Sequence, residues 1–338
     1  MSGPGGPAGG PLLSIEDLSV SVQIDGVAYP ALDHVSFTVE RGEARGIVGE
    51  SGSGKSMTLR AIMGLLPGGA HVDRGSILFD GVDLLADGGL EQRRVRGTGI
   101  SMIFQEPAVA LNPVLRVGDQ ITDSLRQHRR LSRGEARERA IQLMELVGIP
   151  DPASRLRAYP FQLSGGLRQR VMIAAAVACG PKLILCDEPT TALDVRLQAQ
   201  ILGLFAHLRD ELGASLLYVT HDLAVVAQLC DSLTVLYSGR VMESARDLNS
   251  ILNGARHPYS EALLRATPRL DGPVQRLTAI PGSAPSLTDR VLGCPFSPRC
   301  PYARTECTAA PVPLGTVGDE WSAACLFPLE AGAAAGRR

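Results

Sequence analysis

Residues 49–56 read Gly-Glu-Ser-Gly-Ser-Gly-Lys-Ser, a match to the pattern G-x-x-x-x-G-K-[ST]. Gly49, Gly52 and Gly54, with Ser51 and Ser53 between them, let backbone N–H groups turn inward around phosphate oxygens. The helix that follows aims its positive end at the same point. Lys55 is placed to reach the β- and γ-phosphates, and the Ser56 hydroxyl to ligate Mg²⁺. The flanks agree: a short apolar run, Gly46–Val48, precedes the loop, and an apolar-periodic helix to about Leu65 follows it. Of the 33 basic residues all but Lys55 and Lys182 are Arg, so a chance match has a probability of roughly a few in a thousand.

Outward from this loop the chain alternates strands and helices. Leu13, Ile15, Leu18, Val20, Val22 and Ile24 mark a strand, and Val35–Val39 a second. The stretch from about 107 to 180 is mostly helical in pattern, with segments near 117–127, 133–148 and 165–179. A short apolar strand, Leu183–Cys186, follows, then a helix over about 195–212, a strand over 215–219, a helix over 222–230, and strands near 233–237 and 240–243. Strands alternating with helices predict an α/β core with a largely parallel sheet, into which the helical stretch is inserted. Residues 1–11 are Gly/Pro-rich and read as a flexible tail. After Ala266 the chain becomes irregular, with 10 of its 23 prolines between Pro268 and Pro328. This region, 266–338, reads as a loop-rich appendage that a bound metal could staple.

Composition narrows the possibilities. The chain has 338 residues, 45% hydrophobic and 20% charged, which suits one large or two modest globular units and excludes general disorder. A formal net charge of −2 argues against a nucleic-acid partner held by overall charge. No window approaches 18 uncharged apolar residues, and the first residues lack a basic and then apolar leader, so a cytoplasmic location is the default expectation.

A phosphate loop needs an acid to hold its metal. Leu183-Ile184-Leu185-Cys186-Asp187-Glu188 offers Asp187 to orient Mg²⁺ and Glu188 to polarise an attacking water. Leu163-Ser164-Gly165-Gly166-Leu167-Arg168-Gln169-Arg170 places an N-capping Ser at the start of a long apolar helix, whose free N–H groups attract anions; taken alone it is simply a capped helix. Cys179, Cys186 and Cys230 sit among apolar neighbours and read as small buried hydrophobes. Cys294, Cys300, Cys307 and Cys325, spaced C-x5-C-x6-C-x17-C, read as a metal site. The absence of C-x2-C knuckles weakens zinc, four thiolates also suit an iron–sulfur cluster, and the spacing does not choose between them.

The order phosphate loop, LSGGLRQR, LILCDE, TTALD and Thr220-His221-Asp222 resembles the nucleotide-binding subunit of ATP-binding-cassette transporters over about residues 13–265, with Ser164 109 residues after Lys55 and 23 before Asp187. The resemblance implies an α/β P-loop NTPase (RecA-like) core with an N-terminal antiparallel β-subdomain, an inserted helical subdomain (about 107–180) within a cassette of 12–265, and a cysteine-bearing C-terminal extension. It implies that Tyr29 stacks on adenine and that Gln105 senses Mg²⁺ and the γ-phosphate and links to the membrane subunit. By the same resemblance Ser164, Gly165 and Gly166 cap the γ-phosphate of ATP held by the opposite subunit, Asp194 communicates across the dimer, and His221 contacts the γ-phosphate as a switch. Met57 stands where Ser or Thr is frequent, a change expected to matter little because Ser56 carries the hydroxyl.

A finer resemblance is to the dipeptide and oligopeptide permease ATPases. It rests on Gly49–Ser56, Gln105-Glu106-Pro107 with Leu111-Asn112-Pro113, Gly148-Ile149-Pro150, His257-Pro258-Tyr259-Ser260-Glu261-Ala262-Leu263-Leu264, and the tail from Ile280-Pro281-Gly282 through Gly293-Cys294 to Pro298-Arg299-Cys300-Pro301-Tyr302. Members of that branch can carry a [4Fe–4S] cluster on four such cysteines, which the resemblance places on Cys294, Cys300, Cys307 and Cys325. The expected machine hydrolyses ATP on the cytoplasmic face of the inner membrane. Its expected partners are two transmembrane permease subunits, a sister ATPase or a second copy, and, indirectly, an extracytoplasmic solute-binding protein. The same machine with nickel or glutathione as cargo stays open. A soluble ATP switch on ribosomes or DNA is disfavoured by the single cassette and the net charge. A non-catalytic scaffold is disfavoured by the presence of both Glu188 and His221.

Overall fold

The computed structural model describes residues 10–191, 193–267, 278–289 and 291–330; most of the expected tail over 1–11 and part of the Pro-rich region lie outside them. The chain forms two compact units, 1–89 with 218–338, and 90–217.

In the first unit β1 (Leu13–Ile24) and β2 (Val27–Val39) form a hairpin, followed by β3 (Ala44–Val48), α1 (Lys55–Met63), β4 (Ala70–Phe79) and β5 (Val82–Asp83). The two-residue hairpin turn is Asp25-Gly26, with φ of 49° and 80°, the left-handed pair whose twist matches that of the flanking strands. β1 is the centre of an antiparallel sheet ordered β2-β1-β4-β5, with Leu13 opposite both Val39 and Phe79. Leu13, Ile15, Leu18 and Val20 are buried, with a register shift between Ile15 and Leu18, and Ser14, Ser19 and Ser21 are buried with them. The sequence reading found β1 and the last part of β2; β2 is longer than its apolar end, and β4, broken by His71, Asp73, Arg74 and Gly75, carries too weak an alternation to be read.

The second unit runs through α2 (Leu90–Val95), β6 (Ile100–Ile103), α3 (Pro107–Ala110), α4 (Val117–Arg129), α5 (Arg133–Leu146), α6 (Pro152–Arg155), α7 (Gly165–Val177), β7 (Leu183–Asp187) and α8 (Val195–Leu212); the division falls within β8 (Ser215–Thr220). Every residue of β6 and β7 is buried, as parallel strands covered on both faces require, and they pair in parallel from Ile100 opposite Leu183 to Ile103 opposite Cys186. α5 starts at a capping box in which the Ser132 hydroxyl accepts from Glu135 N and the Glu135 carboxylate accepts from Ser132 N. α4 approaches the chain closely at Gly118, where a Cβ would lie 2.7 Å from the Leu156 carbonyl oxygen.

The first unit resumes with α9 (Leu223–Leu229), β9 (Ser232–Tyr237), β10 (Arg240–Ala245), α10 (Leu248–Gly254), α11 (Pro258–Ala266), α12 (Glu306–Ala309), β11 (Gly315–Gly318) and β12 (Trp321–Ala323). β3 pairs in parallel with β9, and β10 pairs antiparallel with both β9 and β12. The cysteine-bearing region is therefore sewn into this unit by strand pairing. Glu243, fully buried in β10, anchors the seam: its carboxylate accepts from Trp321 Nε1 (2.8 Å), Arg256 N (2.8 Å) and His257 N (3.0 Å). Sequence alone shows an isolated Trp and an isolated Glu 78 positions apart, with nothing to pair them.

Candidate nucleotide site

The phosphate loop lies between β3 and α1. Its shape demands glycine at two places. A Cβ on Gly49 would lie 2.1 Å from the Leu236 carbonyl oxygen and 2.6 Å from Ser53 Oγ, and Gly54 caps α1 with φ 103° while a Cβ there would meet Leu32 Cδ2 at 2.7 Å. Gly52 has φ 77°, and Ser51 and Gly52 are exposed at the tip. Lys55 is buried, and its ammonium donates to the carbonyls of Gly49 (2.8 Å) and Glu50 (3.0 Å). Ser56 and Met57 follow in the first turn, half-buried. Ser53 Oγ is buried and finds no hydrogen-bond partner among the described residues. A cradle that a Cβ would fill, an orphaned hydroxyl in its wall and a lysine at its base fit a bound phosphate chain.

Two more sequence-assigned residues belong to this unit. Tyr29 sits in β2 opposite Val22, half-buried. His221 is exposed directly after β8, and its backbone is fixed from both sides: Asp222 N donates to Thr220 Oγ1 (3.0 Å) and Asp222 caps α9 by accepting from Ala224 N (2.8 Å).

The second unit carries the acids and the LSGG segment. Asp187 ends β7 and is buried; Glu188 follows with φ 45°, a left-handed conformation uncommon for a side-chain-bearing residue, and its carboxylate accepts from Thr191 Oγ1 (2.9 Å). The β6–β7 register, continued two residues past Ile103 and Cys186, brings Gln105 and Glu188 to the same edge. Gln105 is exposed there. Ser164 caps α7, its hydroxyl accepting from Leu167 N (3.4 Å), and Asp194 caps α8, accepting from Leu197 N (2.9 Å). The α7 start is open: Ser164 and Gly165 are exposed, and a Cβ on Gly165 meets nothing within 4 Å.

Two positioning contacts escaped the sequence reading. Leu197 stands 3.0 Å from where a Gly166 Cβ would be, so the residue that Asp194 caps also walls the LSGG turn. Gln169, almost fully buried, donates from Nε2 to the Pro189 carbonyl (2.9 Å) and ties α7 to the loop that follows Glu188. Gln169 lies within the LSGGLRQR segment, but its partner Pro189 is 20 residues further along and nothing in the sequence pairs the two.

The four clustered cysteines line one small cavity together with His257, Tyr302 and Phe327. Burial, reinforced by the neighbouring thiols, raises Cys294 and Cys300 and pushes Cys325 up to about 11. His257 Nδ1 accepts from Tyr259 N (3.0 Å), and its Nε2 lies 3.8 Å from Cys294 Sγ. Among the described residues no three His, Cys, Asp or Glu side chains converge closely enough to hold a metal ion. The thiols ring a common space without closing on it. Cys179, Cys186 and Cys230 are buried, as their apolar neighbours predict.

Comparison with known proteins gives two family matches along the chain. Residues 32–191 match the ABC transporter family model, and residues 242–307 match the oligopeptide/dipeptide transporter C-terminal region. The dipeptide transport ATP-binding protein DppD of Escherichia coli is 45% identical over 319 residues, 94% of this chain and 97% of that protein. The chain belongs to the ATP-binding-cassette transporter ATPases. Within them it groups with the dipeptide and oligopeptide transport ATP-binding proteins. Bacillus subtilis DppD is 46% identical over 88% of each chain. The oligopeptide transport ATP-binding protein OppD of Mycobacterium tuberculosis is 48% identical over 94% of this chain, which spans about half (52%) of that protein. In structure this cassette resembles the ATP-binding cassette MJ0796 in a dimeric post-hydrolysis state bound to ADP and Pi, at TM-score 0.61 and 29% identity over 68% of this chain and 96% of that one. The α/β P-loop fold and the ATPase activity expected from the sequence both hold for this family.

Proposed function

We propose that this cassette powers uptake of dipeptides or oligopeptides across the cytoplasmic membrane. The observation that carries the proposal is the succession on one chain of the ABC transporter match and the oligopeptide/dipeptide C-terminal match. Similarity to peptide-transport ATP-binding proteins along nearly the whole chain supports the same cargo class.

The division of labour follows the chemistry of the side chains. Lys55 and the loop N–H groups bind the ATP phosphates, and Tyr29 stacks on the adenine. Ser56, Asp187 and Gln105 would hold Mg²⁺, which when bound neutralises charge on the phosphates. Glu188, held by Thr191, takes a proton from the attacking water, and His221 contacts the γ-phosphate. The exposed start of α7 offers Ser164, Gly165 and Gly166 to ATP held by an opposite subunit, either a sister ATPase or a second copy, with Asp194 linking the two. ATP held between subunits favours the closed dimer, and hydrolysis removes that preference. The cassette spans 12–265, with the helical insert near 107–180 and the extension over 266–338.

Two permease subunits would contact the Gln105 region, and an extracytoplasmic binding protein would capture the cargo. Similarity to dipeptide transport ATP-binding proteins supports peripheral attachment at the cytoplasmic face; among the described residues no helix is long and apolar enough to cross a membrane. By resemblance to the peptide-transport branch we propose a [4Fe–4S] cluster on Cys294, Cys300, Cys307 and Cys325, four soft donors that line one cavity and would have to draw closer together to hold it. When bound it would cross-link the extension. Chain purified without oxygen should be brown and contain iron and acid-labile sulfide; stoichiometric zinc without iron refutes the cluster.

Uptake of labelled dipeptide, longer peptide and nickel, in cells carrying wild type or Glu188→Gln, tests the cargo. Loss of peptide uptake alone supports the proposal. Loss of nickel uptake with peptide uptake intact contradicts it.

A further inference from the structure

Glu50 is the second residue of the phosphate loop, and the partner of its side chain, Arg299, lies 249 positions further along the sequence. Arg299 Nη1 donates to Glu50 Oε2 at 2.6 Å and Nη2 to Oε1 at 3.0 Å, a two-bond fork onto one carboxylate. The same guanidinium donates to Tyr237 Oη (3.1 Å) and the Pro281 carbonyl (2.7 Å), and its side chain is only 6% exposed. Glu50 N donates to Tyr259 Oη (2.9 Å), so both the backbone and the side chain of this loop residue are held. Tyr237, Tyr259 and Phe296 pack ring against ring behind them, with centroids 4.6–5.5 Å apart. All of these residues lie in the first unit.

Arg299 does not reach the loop from a free tail. It sits in the turn between Cys294 and Cys300, where Ser297 N donates to Cys294 O (3.0 Å), Arg299 N to Phe296 O (2.9 Å) and Cys300 N to Ser297 O (3.3 Å). Cys294 N donates in turn to Cys307 O (2.8 Å). The position of the guanidinium is thus set by the fold of the cysteine-bearing lobe.

We propose that Arg299 is a positioning residue of the nucleotide site: by neutralising and holding Glu50 it lets the loop receive a polyphosphate, and it makes nucleotide affinity depend on the folded C-terminal extension. The physical reason is charge. A carboxylate in a phosphate-binding loop repels the incoming anion unless a cation compensates it, and a half-buried pair is little screened by salt. The inference rests on the reading of residues 49–56 as the nucleotide site.

Titration of the full chain with a fluorescent ATP analogue and Mg²⁺ tests it. Arg299→Met should raise Kd about tenfold by leaving Glu50 uncompensated. Adding Glu50→Gln to that variant should restore Kd to within about threefold of wild type, which a general loss of folding would not allow. Arg299→Lys, keeping the charge without the fork, should fall between wild type and Arg299→Met; if Arg299→Met does not fold, Arg299→Lys carries the test and a wild-type Kd overturns the proposal. A wild-type Kd for Arg299→Met, or no recovery in the double variant, also overturns it. Lys55→Ala separates the two claims: if it binds nucleotide as wild type does, the phosphate-loop reading itself fails.

Discussion

Gly165 offers a substitution whose effects on stability and on turnover separate. It opens α7 directly after its cap Ser164, it is exposed, and a methyl built on it meets nothing within 4 Å. Gly165→Ala therefore costs the folded chain no contact. The methyl narrows the unfolded ensemble and favours helix, so the chain should gain between about 0 and 0.8 kcal/mol, with Tm raised by no more than about 2 °C. Function should move the other way. If the backbone here meets the γ-phosphate of ATP held by the opposite subunit, N–H and oxygen must approach to about 2.9 Å, and a methyl keeps them apart. Losing one charge-assisted hydrogen bond of about 1.5–3 kcal/mol lowers turnover by roughly 10- to 100-fold. The assay is steady-state ATPase of the assembled transporter in liposomes, with thermal unfolding of the isolated chain in parallel. Turnover within twofold of wild type at unchanged Tm would refute the placement of Gly165 at a partner's ATP. A fall in Tm of more than about 5 °C would show that the α7 start is packed in the isolated chain.

Three further substitutions probe the same architecture. Gly49→Ala pushes a methyl to 2.1 Å from the Leu236 carbonyl oxygen, so the loop or β9 must shift; about 2–3 kcal/mol should be lost in urea unfolding, and an unchanged midpoint would contradict that loop path. Ser53→Ala removes a buried hydroxyl without a partner among the described residues, so the nucleotide-free chain should gain about 1 kcal/mol while the rise in Tm on adding ATP shrinks. Glu243→Gln replaces one acceptor by a donor facing His257 N and should cost about 1–3 kcal/mol, read as a lower unfolding midpoint. Burial raises the Glu243 carboxyl, so between its ordinary value of 4.5 and its raised native value the folded chain binds more protons than the unfolded one. The stability it contributes is therefore present below that window and falls as pH rises through it, a slope that Glu243→Gln should abolish.

What the sequence could reveal depended on locality. The phosphate loop, the acids ending β7 and the cap of α7 are short-range patterns, in which a glycine, an N-cap or an apolar run carries its own physical meaning. The helices α4, α5 and α8 were legible for the same reason, since their apolar spacing lies within one segment. The contacts that were missed join distant segments. Trp321 to Glu243, Gln169 to Pro189 and Arg299 to Glu50 are pairings of ordinary residues whose proximity only the folded chain creates. The extension read as an appendage because Pro-rich loops hide β11 and β12, four and three residues long.

The most direct test of the account is single-turnover chemistry in the Glu188→Gln chain within the assembled transporter. Gln keeps the volume of Glu188 and an oxygen to accept from Thr191, but cannot take a proton. The account predicts that ATP binds with wild-type affinity while hydrolysis falls by at least about 100-fold. Hydrolysis at the wild-type rate would contradict it, by showing that the base is not Glu188.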